Sequence, residues 1–114
     1  AVCSHHEPLS DSAKLAPFAE TEPGISALDT FVSLGLQLVR DGQLSPLEWL
    51  QRVVTGPAAI AGIEAQRQQA GGWVLIDPEQ TWTVQADTLH SAGKNTPFLG
   101  KTLQGRVLRL FSAV

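Results

Sequence analysis

Apolar positions along the 114-residue chain are sparse up to Gly24, helically spaced from Ser26 to Gly62, and alternating after Trp73. Ala1 to Ser4, a small and β-branched run cut off by a polar cluster and Pro8, reads as the last positions of a strand. Leu9 to Gly24 has no sustained period and carries Pro17, Pro23 and Gly24, which marks a long loop of the kind usually kept for function. From Ser26 to Val39 the apolar residues recur at helical spacing with apolar character nearly all round, so a buried helix is expected, capped by Ser26 with Asp29 and ended at Asp41-Gly42. Ser45, Pro46 and Glu48 form a capping box, and the helix they open should bury Leu47, Leu50, Val53 and Val54. Thr55 to Gly62 predicts a short third helix started by Pro57.

A polar linker, residues 64–72, separates this half from a β-rich one. Trp73 to Ile76 ends at Asp77-Pro78, Thr81 to Val84 alternates, and the spacing between them predicts a hairpin. Asp87 to Phe98 reads as loop, and Leu103 to Phe111 as a last strand whose Gly105 marks a bulge or a close approach. Helices first and strands after describe an α+β arrangement for the chain taken alone.

Composition narrows the function classes. With 43% hydrophobic and 17% charged residues the chain suits one small globular unit. A net charge of -3 with no basic cluster argues against nucleic acid as a partner. The apolar stretches are too short and interrupted to cross a bilayer, so no membrane partner is expected. One cysteine, Cys3, cannot form an internal disulfide, which points to a reducing, cytoplasmic setting. Methionine is absent, and the expectation is that the chain begins inside a longer protein.

Few residues carry chemistry. His5 and His6 could be a zinc pair, but neighbours on a strand point to opposite faces and would not chelate one ion in the usual way. Cys3 has no second thiol or nearby base and reads as a small buried strand residue. His90 follows no ligand spacing and is expected at or near the surface. Trp49, Trp73 and Trp82 are most simply packing residues.

Several separated pieces, CSHHEP, AKLAPF, TEPGISALDT, TGPAAIAGI, WVLIDPEQTWTV and GKNTPFLGKTLQGRV, together resemble the C-terminal part of a dihydroorotase, a member of the amidohydrolase superfamily. They follow family order over nearly the whole chain. The resemblance implies an α/β fold: a C-terminal fragment of a (β/α)8 barrel, with the end of strand eight, its loop and the following helices in residues 1–64, and C-terminal strands of a small β-sandwich in 65–114. The helix after strand eight would then pack outside the barrel, and in the chain alone its apolar face would be covered by self-association into a homo-oligomer.

In active relatives the strand-eight motif reads roughly DHxPH. Its aspartate touches the metal and shuttles a proton, and its last histidine helps hold the substrate carboxylate. Here His5 stands at the aspartate position and Leu9 at that of the last histidine, while His6 and Pro8 match. Imidazole supplies no anionic base and Leu9 no donor. Losing a positioned general base costs about 10²–10⁴ in rate, so no catalytic residue is assigned and no cofactor is expected. The family uses the loop matching Pro23 and Gly24 to line the substrate pocket, and a plain structural turn is the equal competitor. Ala27 replaces the glycine usual there, and Gly72 the aspartate usual before WVLID.

The resemblance therefore implies a non-catalytic relative of the kind that associates with the aspartate carbamoyltransferase catalytic chain in pyrimidine biosynthesis and supports its assembly. The alternative is an active zinc-dependent dihydroorotase, or a related cyclic-amide hydrolase, in which His5 replaces the aspartate as a metal ligand.

Overall fold

The structure, a computed structural model, describes residues 1–66 and 71–112. Residues 67–70 of the expected linker lie outside the described residues. The chain builds a small mixed α/β unit: helix α1 (Leu28–Arg40), α2 (Pro46–Leu50) and α3 (Gly56–Ala61), followed by an antiparallel pair of strands, β1 (Trp73–Thr83) and β2 (Thr102–Phe111).

Several local signals act as expected. Ser45 Oγ accepts from the Glu48 amide at 3.2 Å while Glu48 Oε2 accepts from the Ser45 amide at 2.8 Å, so the capping box is complete, with Pro46 at the first helical position. Helix α1 stops at Asp41-Gly42, and α3 ends at Gly62 in the left-handed conformation. A π-helical turn at Gln51–Thr55 joins α2 to α3, so the second and third helices form one continuous rod. The long loop, residues 9–24, holds only two 3-10 turns, Asp11–Lys14 and Phe18–Glu20.

Other expectations are corrected. Ala1–Ser4 is not a strand: its environment offers one isolated bridge, His6 with Ile25, and His5 at φ +47° turns the chain out of the extended region. Cys3 is accordingly exposed rather than buried. The hairpin predicted between Trp73–Ile76 and Thr81–Val84 does not form, because both runs belong to β1 and both pair with β2. Asp77 is paired with Arg106 and Thr81 with Gln104, leaving Pro78, Glu79 and Gln80 opposite Gly105 as a bulge. Pro78 has no amide hydrogen to leave unpaired, and Asp77 Oδ1 accepts from the amides of Glu79 at 2.9 Å and Gln80 at 3.2 Å. The turn signal is real, but its amides are satisfied locally and the strand resumes.

Helix α2 and the π turn do not bury the residues expected. Leu47 and Leu50 are exposed, Val53 and Val54 half-buried, and the buried residue is Trp49. Its indole lies over Gly35 of α1, where a Cβ would come within 2.0 Å of the ring, and 5.4 Å from the Phe31 ring. Nor is α1 buried through its large side chains: its buried residues are Thr30, Ser33 and Gly35, small enough to let the helix approach its neighbours. On the sheet side Ser33 Oγ accepts from Trp82 Nε1 at 3.0 Å and donates to the Gly105 carbonyl. Gly105 is the close approach anticipated from sequence: its φ of +96° suits glycine, and a Cβ there would meet Leu36 at 2.6 Å.

The apolar core proper is small. Trp82, Val84 and Leu89 are buried together under Phe98 and Leu103, where the loop between the strands folds back. Trp73, expected in the packing, is 76% exposed, and so is much of the apolar surface at its end of the sheet. Among the described residues no helix is long and apolar enough to cross a membrane.

Gly35→Ala tests the helix contact. Its propensity gain is opposed by overpacking against Trp49, and a net loss of about 1–3 kcal/mol is expected. Urea unfolding measures it; an unchanged or raised midpoint would remove Trp49 from that position.

Candidate functional site

Three sequence-distant segments meet at the start of α1: residues 5–9, 23–28 and 88–95. The first residue of α1 follows Ala27, which has no side chain to cap it, and the Ser26 hydroxyl expected in that role is buried without a hydrogen-bond partner. The cap comes instead from His6, whose Nδ1 accepts from the amides of Ala27 at 3.0 Å and Leu28 at 3.2 Å. A nitrogen accepting in this way carries no proton, so the neutral ring holds its hydrogen on Nε2. The backbones run together too, with the Glu7 amide donating to the Ile25 carbonyl at 2.9 Å.

Asn95, from the GKN stretch, binds both segments. Its Oδ1 accepts from the Leu9 amide at 2.7 Å, and its Nδ2 donates to the carbonyls of Glu7 at 3.2 Å and Gly24 at 3.1 Å. This side chain carried no signal of its own in the sequence beyond its place in GKNTPF. Asp29, offered as a helix-capping partner, does something else. Its Oδ1 accepts from the His90 amide at 3.1 Å and lies 2.9 Å from His90 Nδ1, and Oδ2 accepts from the Ser91 amide at 3.4 Å. Burial acts to raise the Asp29 carboxyl, but the His90 amide, the His90 ring and the Ser91 amide together hold it below its ordinary value. The His90 side chain is otherwise exposed, as expected.

The expected site residues are thus brought close in different states. His5 is exposed, and with His6 and Glu7 it borders one open depression. Leu9 is half-buried and fixed through its amide rather than its side chain. Pro23 is exposed, and Gly24, at φ +127°, faces the Glu7 side chain so closely that a Cβ would lie within 2.8 Å of it. His6 also lines a groove of about 430 Å³ between α1, β2 and the 88–91 loop, together with Asp29, Val32, Trp82, His90 and Arg106. Among the described residues no three His, Cys, Asp or Glu side chains are grouped so as to hold a metal ion.

The sequence aligns with curated proteins along nearly its full length. It is 43% identical over 110 residues to a dihydroorotase-like protein of Pseudomonas putida and, over the same span, to one of Pseudomonas aeruginosa, covering 94% of this chain. A dihydroorotase of Geobacter metallireducens is 37% identical over 108 residues. The chain is a dihydroorotase-family sequence. It spans 26% of the length of each of these relatives, as a C-terminal part of a dihydroorotase-like protein would. No protein-family model matches it.

For this dihydroorotase-family chain the geometry gives His6 and Asp29 separable effects on stability. His6→Ala removes the acceptor for two amides and is expected to cost about 1–2 kcal/mol in urea unfolding at neutral pH, as losing an N-cap does. Asp29 has a depressed carboxyl, so its contribution is complete above its ordinary value near 3.8 and is lost as pH falls through the lower folded value. Asp29→Asn should therefore flatten the acid limb of the stability profile below pH ~4, and an unchanged acid limb would contradict the assignment.

Proposed function

We propose that the chain is the C-terminal part of a non-catalytic dihydroorotase-like protein, cytoplasmic and acting in pyrimidine biosynthesis as a structural subunit that supports assembly of the aspartate carbamoyltransferase catalytic chain. On this reading residues 1–64 are the end of barrel strand eight with its loop and helices, and 65–114 are C-terminal strands of the small β-sandwich. The observation that carries the proposal is the pairing of His5 and Leu9 at the two positions where hydrolysis of the ring amide calls for an anionic base and for a hydrogen-bond donor to the substrate carboxylate. His6, which matches the family motif, has its Nδ1 committed to the helix. The apolar sheet surface around Trp73, Val74, Leu108 and Leu110 supports a role in association, with a second copy or with another chain.

A zinc-dependent cyclic-amide hydrolase is the second reading, favoured by the depression that His5 and His6 share with Glu7. The donor set here does not fit zinc by itself. One imidazole offers only a protonated Nε2 in its capping tautomer, and no third nitrogen, sulfur or carboxylate ligand of this chain joins the pair among the described residues.

The parent protein containing this chain is expected to show negligible cyclisation of N-carbamoyl-aspartate and to raise the yield of assembled aspartate carbamoyltransferase when the two are co-expressed. Turnover at an ordinary enzymatic rate, accompanied by one tightly held zinc per chain, would sink the proposal in favour of the hydrolase. Restoring His5→Asp and Leu9→His together reads the rest of the site, because recovered activity would mean that the loss is confined to these positions.

A further inference from the structure

The GKN stretch, residues 93–95, is wedged between the two segments that meet at the start of α1. Gly93 is buried, and a Cβ there would come within 2.5 Å of the Leu9 amide nitrogen and 2.7 Å of the Leu9 carbonyl oxygen. Only a hydrogen fits in that gap. On the other side the Asn95 carbonyl accepts from the Ser26 amide at 3.3 Å. The loop is itself held, by Lys94 Nζ donating to the Leu89 carbonyl at 2.7 Å and by the His90 and Ser91 amides donating to Asp29. A loop fixed in this way can set the spacing of the segments it touches.

The Asn95 side chain bonds both segments at once, and its partners select its chemistry. Leu9 presents an N–H to Oδ1 at 2.7 Å, whereas Glu7 and Gly24 present carbonyl oxygens to Nδ2 at 3.2 and 3.1 Å. A primary amide supplies two donors and an acceptor from one short stem. An ionised aspartate of the same shape only accepts, and serine has one donor. We propose that Asn95 is a positioning residue for the candidate site: its two N–H donors, one on the Glu7 carbonyl and one on the Gly24 carbonyl, set the distance between the His6 segment and the Pro23-Gly24 loop. Through that spacing Asn95 keeps His6 Nδ1 on the Ala27 and Leu28 amides. The proposal rests on reading these two segments as the strand-eight motif and the substrate loop, and it assigns their spacing to the loop that joins β1 to β2.

The test is backbone hydrogen–deuterium exchange in the parent protein containing this chain, unaltered and as Asn95→Asp and Gly93→Ala. Asn95→Asp keeps the shape and the acceptor for Leu9 while setting a carboxylate oxygen against two carbonyls. Gly93→Ala keeps Asn95 and pushes Leu9 away from it. In both variants exchange of the Glu7, Ala27 and Leu28 amides is expected to rise about tenfold or more, as losing two modest hydrogen bonds implies, while residues 102–111 exchange as before. Unchanged protection of those three amides in Asn95→Asp overturns the proposal, because a residue that only fills space tolerates a carboxylate of its own size. Exchange raised equally across residues 102–111 overturns it as well, since Asn95 would then support the whole fold and not this one spacing. Neither readout needs turnover or a partner. If the local effect is found while the parent protein fails to aid carbamoyltransferase assembly, Asn95 keeps its role and the assembly reading falls.

Discussion

Everything positioned around the candidate site depends on how the first amides of α1 are satisfied. A helix leaves its first N–H groups without intrahelical acceptors, and burial makes an unmet donor costly, on the order of 1–3 kcal/mol. This helix has no local remedy, since Ala27 has no acceptor and Ser26 is turned inward. The acceptor arrives from His6, 21 residues upstream of Ala27. That single bond pair obliges residues 5–7 to lie beside 25–28, and Asn95 then closes the arrangement from the far end of the chain. With its start pinned, α1 brings Ser33 to Gly105 and Gly35 to Trp49, so sheet and second helix are registered from the same point.

This constraint sorts residues 5–9 by what the fold asks of each. His6 does a job the fold requires, because without it two amides lose their acceptor. His5 does none: it is exposed, and no hydrogen bond of its ring supports a neighbour among the described residues. At Leu9 the fold uses the amide, which any residue but proline supplies. Substitution at His5 and Leu9 therefore leaves the cap and the Asn95 bonds intact, while substitution at His6 does not.

The same division decides what could be read from the sequence. Interactions within one turn were legible: the Ser45–Glu48 box, the helix ends at Gly42 and Gly62, the loop through Gly93 and Asn95, and the last strand. The His6 cap and the Asn95 bonds span 21 to 88 residues, and nothing local marks them. Asp77-Pro78 has the composition of a strand end, and only the pairing of both flanks with β2 distinguishes a bulge from a turn. Helical phase likewise could not choose between Leu50 and Trp49. The available clue was Gly35, a residue with poor helix propensity set among leucines, which marks a gap where a large ring can enter.

A two-stranded sheet is marginal in water unless something packs on it. Helix α1 packs on β2 around Gly105, and there the ladder is backed by Ser33, Leu36 and the Trp82 core. Beyond the Leu75–Ile76 irregularity the pairing continues from Trp73 to Phe111, but its side chains are largely exposed. The radius of gyration, 16.0 Å, exceeds the ~13 Å of a compact domain of about 100 residues, as an uncovered extension requires. The unit is thus tightly specified where the His6, Asn95 and Asp29 contacts converge and weakly held at the distal sheet. Arg106 and Val107 lie at the boundary between the two, on the strand that runs from the packed end to the bare one.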